Sequence, residues 1–110
     1  MAGSTSDIRS NFDNLLRIAM VYQQHGDMAK YKALIEKLQG YAQLYFTNRV
    51  PALGNYALKN ITDTSVRGYY VAEKGSENQK IEEELAQQSM QLMQQFSPAL
   101  LKEYTSQSSN

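Results

Sequence analysis

The chain has 110 residues, room for one domain with a modest core, and its 42% hydrophobic and 20% charged content is that of a globular rather than a disordered protein. Eleven basic residues balance eleven acidic ones, which excludes recognition of nucleic acid or an anionic membrane through a long-range field. The absence of cysteine excludes a disulfide framework, a thiolate metal site and a cysteine nucleophile.

The two ends, MAGSTS at 1–6 and TSQSSN at 105–110, are small and polar, and disordered tails are expected there around a single helical domain over 7–104. No apolar run reaches the roughly 18–20 residues a transmembrane helix requires, so no membrane insertion is expected. The opening stretch lacks the apolar segment of a secretory signal, so the expected location is cytoplasmic.

Helix 1 is predicted over about Asp7 to His25. Ile8, Phe12, Leu15, Ala19 and Tyr22 recur at helical spacing, with Leu16 widening the stripe. The inward stripe centres near Leu15 and Ala19. Gly26 suits a left-handed helix stop and Asp27 a cap for the next helix. Helix 2, about Met28 to Phe46, carries Tyr31, Leu34, Ile35, Leu38, Tyr41, Ala42 and Tyr45 on one face. So short a connection makes the pair an antiparallel hairpin.

Pro51 either stops helix 2 or opens a short third helix, with Val50 extended ahead of it. Leu53, Tyr56, Ala57 and Ile61 would then cover one end of the hairpin. Over TDTSVRGYYVAEKG, residues 62–75, helical periodicity disappears and a packed loop is expected. SENQ at 76–79 is a capping-box pattern. It opens a last long helix that turns Ile81, Leu85, Leu92, Met93 and Phe96 inward. Ser97-Pro98 kinks or restarts that helix, and Leu100, Leu101 and Tyr104 complete the packing.

Little here supports catalysis. The single histidine, His25, reads as a side chain favoured by the end of a helix. Two-histidine metal motifs are impossible. The six glycines form neither a dinucleotide fingerprint nor a phosphate loop. Glu82, Glu83 and Glu84 read as solvated carboxylates near a helix start. The chain is therefore expected to be no enzyme and to hold no metal or cofactor. Eight tyrosines, each joining an apolar body to a polar tip, suit interfaces.

Asp13-Asn14-Leu15-Leu16-Arg17, followed by Ala19 and Tyr22, together with Pro51 and Tyr56 within VPALGNY and the ending LLKEYT, resembles the MIT-like amino-terminal (dimerisation) domain of AMSH- and UBPY-type endosomal deubiquitinases. The similarity covers residues 8–58 best. The Tyr22-to-Pro51 spacing is a few residues longer than in that family, and Leu53-Gly54-Asn55 stands where its His-Arg-Asp portion is usual. A weaker likeness to a tetratricopeptide hairpin rests on Leu15, Ile18, Ala19, Tyr22, Gly26, Asp27 and Ile35. Tyr31 stands there where that repeat needs a small residue, and only one copy exists.

The expected fold is all-α, three to five helices built on the 7–25/28–46 hairpin. The MIT-like resemblance implies a non-catalytic, endosome-associated module of the ubiquitin pathway that accepts helical segments such as ESCRT-III tails. The alternative is a homo-oligomeric structural or assembly protein of phage or bacterial type, and homodimerisation stays open. The candidate partner-binding residues are Ile18 at the edge of the predicted core stripe, Val21 and Leu44 away from it, and Met90 on the last helix, whose flexible thioether suits an adaptable surface.

Overall fold

A computed structural model describes the backbone of residues 5–108 and the side chains of residues 6–106. Five helices follow in order: α1 (Thr5–Gln24), α2 (Met28–Thr47), α3 (Pro51–Val71), α4 (Glu77–Phe96) and α5 (Pro98–Ser108). The all-α bundle expected from the sequence is the fold, with no strand among the described residues. Of the expected tails, residues 1–4 and 109–110 lie outside the described residues, whereas Thr5 and Ser6 begin α1 and 105–108 continue α5.

Each helix end has a local cause. Gly26 at φ 77° closes α1, with Asp27 N–H donating to the Tyr22 carbonyl over 2.9 Å. The Asp27 side chain then accepts from Lys30 N–H at the start of α2. At the end of α2 the same device is built without glycine. Arg49 takes φ 65° while Val50 N–H reaches back to the Tyr45 carbonyl over 2.8 Å. Pro51 follows as the first residue of α3, where its missing N–H leaves no helical bond unmade. Ser76 caps α4 by accepting from Gln79 N–H over 3.2 Å. The reciprocal bond differs from a capping box, since Gln79 Oε1 accepts from Gly75 N–H over 2.8 Å. Ser97-Pro98 restarts the chain as α5.

Helices α2 and α3 form the centre. Helix α1 packs against both from one side and α4 from the other, while no Cα of α1 approaches one of α4 within 8 Å. Phe12, Leu16, Ala19, Tyr31, Ile35, Leu38, Ala57, Leu58, Ile61, Leu85 and Met93 are among the buried residues of one continuous core. Two expectations are corrected here. Residues 62–71 are not a packed loop but the second half of α3. Its inward face is made of Thr62, Ser65 and Gly68 rather than large apolar groups. The Thr62 hydroxyl donates back to the Leu58 carbonyl over 2.7 Å and Thr64 to the Asn60 carbonyl over 2.8 Å, so their burial leaves no donor unpaired. Glu82 is not solvated either. It lies on the buried side of α4 with Leu85, Ala86, Ser89 and Met93.

Candidate functional site

The inward stripe of α1 is rotated from where the sequence centres it. Phe12, Leu16 and Ala19 are buried, whereas Ile8, Leu15 and Tyr22 are only half-buried. At about 100° per residue these three lie on the flank of α1 that faces α2. On α2 the corresponding flank holds Leu34, Tyr41 and Tyr45, also half-buried against the core. With α3 and α4 on the other side of the hairpin, nothing covers the seam. It forms an open groove of about 520 Å³ lined by Ile8, Asn11, Phe12, Asn14, Leu15, Tyr41 and Tyr45.

The groove is rigidly backed. The Phe12 ring meets Tyr45 edge-on at 6.4 Å and Tyr56 at 6.1 Å. Tyr56 in turn donates to Asp13 Oδ1 over 2.7 Å, and the Arg9 guanidinium lies 4.0 Å from the centre of its ring. Asp13 and Tyr56, both part of the resemblance described above, thus tie α1 to α3. Burial raises the pKa of Tyr45, with the nearby Tyr41 adding to the shift. Lys30 and Lys37 sit 5.8 Å and 6.0 Å from the Tyr22 and Tyr41 ring centres, placing two cations along the α2 side.

The four sequence-predicted contact residues are not brought together as one patch. Ile18 (44% exposed) lies one turn beyond Leu15 on the same flank and so prolongs the groove wall. Leu44 (53% exposed) stands one turn beyond Tyr41, on the outer rim. In an antiparallel pair it lies about 15 Å along the axis from Ile18. Val21 (46% exposed) points directly away from the core, about 60° round the helix from Ile18. Met90 is half-buried on α4, across the bundle from α1. Leu15, Tyr41 and Tyr45 were missed as groove residues because the helical repeat alone assigns them to the core stripe. The signal that could have separated them is the burial of the small Ala19 and Ala42, which centre the packing faces of α1 and α2 away from Leu15, Tyr41 and Tyr45.

A second feature escaped the sequence altogether. Glu82, 2% exposed, accepts from Tyr31 Oη over 2.5 Å and from Gln23 Nε2 over 2.6 Å. Gln23 Nε2 also reaches the Thr64 carbonyl at 3.2 Å. Desolvation by burial pushes the Glu82 carboxyl above the usual carboxylate range, partly offset by these two donors. Desolvation and the hydrogen bond to Glu82 drive the Tyr31 hydroxyl upward as well. Small residues on the facing stretch of α3 make the room, above all Gly68, where any Cβ would overlap the Glu82 carboxylate and the Gln23 amide. Among the described residues no group of three His, Cys, Asp or Glu side chains is placed to hold a metal ion, and no helix is long and apolar enough to cross a membrane. The chain matches no protein-family model, no curated protein and no solved structure.

Proposed function

We propose that the chain is a non-catalytic protein-binding module that receives the apolar face of a partner helix in the groove between α1 and α2. The observation that carries this reading is the uncovered seam of the hairpin, with Leu15, Tyr41 and Tyr45 lining it and Ile18 in line with its wall. Two parallel helical ridges with an apolar floor fit a third helix, which presents side chains at i, i+3 and i+7 along the same direction. Tyrosines supply contact area with few rotamers to freeze, and Asn11 and Asn14 offer hydrogen bonds at the rim. Lys37, close to the Tyr41 ring, favours a partner with a carboxylate beside its apolar stripe, whereas the Lys30 ammonium lies 3.8 Å from Asp27 Oδ2.

The MIT-like resemblance supports the same mode and extends it to helical tails of the ESCRT-III kind and to a cytoplasmic role at endosomes. Burying a handful of side chains over a short helix, less the cost of association, gives micromolar affinity. The test is fluorescence anisotropy of labelled amphipathic helical peptides, acidic and basic in matched pairs, against the wild-type chain, Tyr41→Asp and Val21→Asp. Binding of the acidic peptide that Tyr41→Asp abolishes and Val21→Asp preserves is expected. Loss with Val21→Asp alone would move the site to the outward face. A stable dimer by light scattering, with no peptide bound, would favour the homo-oligomeric reading instead.

A further inference from the structure

At the end of the bundle away from the groove mouth, the α1–α2 turn and the α3–α4 connection enclose a cleft of about 570 Å³, within the usual size of small-molecule sites. Its walls include Met20, Met28, Val71 and Ala72, and Glu82 lies at its inner side. The carboxylate has only neutral protein partners. Tyr31 donates to Oε1 and Gln23 to Oε2, and none of the ion pairs among the described residues includes Glu82. A carboxylate has about four acceptor positions, so these two bonds use roughly half of them. A buried carboxylate without a cation is costly to keep, and the folded chain offers it none. Arg67, which also borders the cleft, is exposed and makes no ion pair with it.

We propose that this cleft binds a primary ammonium group carried on a short apolar chain, with Glu82 as its counter-ion and the two methionines against the alkyl part. A carboxylate held by two neutral donors is oriented in advance, so the ammonium meets a fixed acceptor rather than a flexible one. The methionine thioethers accommodate alkyl chains of differing shape. Val71, 85% exposed beside the opening, gains burial only when something occupies the cleft. The site is separate from the helix-receiving groove, and neither depends on the other.

The experiment follows the methionine methyl signals of the full chain by NMR while hexylamine, hexanol and hexanoate are added at neutral pH. Hexylamine is expected to shift Met20 and Met28 saturably and hexanol to bind roughly ten-fold or more weakly, the scale of a charge-assisted hydrogen bond. Glu82→Gln should remove that preference, and Arg67→Ala should leave it intact or sharpen it. Equal shifts from hexylamine and hexanol would reduce the cleft to an apolar cavity and overturn the proposal, as would a loss in Arg67→Ala matching that in Glu82→Gln. If Glu82→Gln does not fold, the amine-to-alcohol ratio on the wild-type chain decides alone. Acetyl-lysine methylamide, titrated beside its ε-acetylated form, distinguishes a protein lysine from a free amine as the source of the group. Either ammonium binding more tightly than its neutral counterpart supports the site, and neither doing so refutes it.

Discussion

Two glycines inside helices should answer the same substitution with opposite signs. Gly40 lies within α2 with nothing within 4 Å of the position a Cβ would take, whereas at Gly68 in α3 that position overlaps Glu82 and Gln23. Glycine to alanine in a helix interior gains about 1 kcal/mol when nothing is in the way. Gly40→Ala should therefore stabilise by about that amount. At Gly68 the same gain is opposed by displacement of Gln23 Nε2 from its 2.6 Å bond to a buried carboxylate, a class of bond whose loss costs roughly 1.5–3 kcal/mol. The net expectation for Gly68→Ala is a destabilisation of about 0.5–2 kcal/mol, or roughly 2–8 °C in melting temperature for a domain of this size. Urea titrations followed by far-UV circular dichroism, fitted with a shared m-value, read both. Stabilisation of both variants would refute the reasoning, because it would mean that the carboxylate moves aside without loss and that Gly68 is not required by the approach of α4 to α3.

Other expectations follow from the same geometry. Leu38→Ala, at a fully buried position, should lose about 2–5 kcal/mol, whereas Leu15→Ala on the groove wall should lose clearly less, since it is only partly buried; equal losses in chemical denaturation would place Leu15 in the core after all. Arg49→Gly should stabilise by about 0.5–1 kcal/mol by relieving the positive φ at the end of α2, and a loss on thermal melting would contradict that account of the turn. Because the folded-state pKa of Glu82 is raised, its contribution to stability is full below the ordinary carboxylate range and is lost as pH rises through the raised value. Relative to Glu82→Gln, the wild-type chain should thus gain stability as pH falls through that window, and an unchanged difference between the two across the window would show that the carboxyl is not desolvated.

The hairpin was legible because its core faces use large apolar residues at helical spacing and because Gly26-Asp27 both stops one helix and caps the next. The second half of α3 was not, since its inward face is Thr62, Ser65 and Gly68, which carry no hydropathy signal though they pack closely. The Thr62 hydroxyl bonds back within the helix and that of Ser65 lies 3.5 Å from Tyr31 Oη, so polar residues are buried there with partners. Glu82 was obscured by its exposed neighbours Glu83 and Glu84. The small Ala86 and Ser89 on its own side of α4 mark the true packing face, while Ile81, Leu92 and Phe96 lie at its edge and are only partly buried. Exposure at Ile18, Val21 and Leu44 could be read from periodicity alone. Where those residues stand relative to a groove could not, because that depends on α3 and α4 packing behind the hairpin and leaving its other side open.

The open side of the α1–α2 hairpin is proposed to receive a helix. The most direct test is a residue-by-residue map of amide shifts as the isotope-labelled chain is titrated with the acidic amphipathic peptide that binds it. A continuous track of shifts is expected along Asn11, Leu15 and Ile18 on α1 and along Leu34, Tyr41 and Tyr45 on α2, with Met90 and the outward Val21 at the margin or silent. Saturable shifts centred on α4, or on the cleft around Glu82, with the hairpin groove unperturbed, would contradict the proposal.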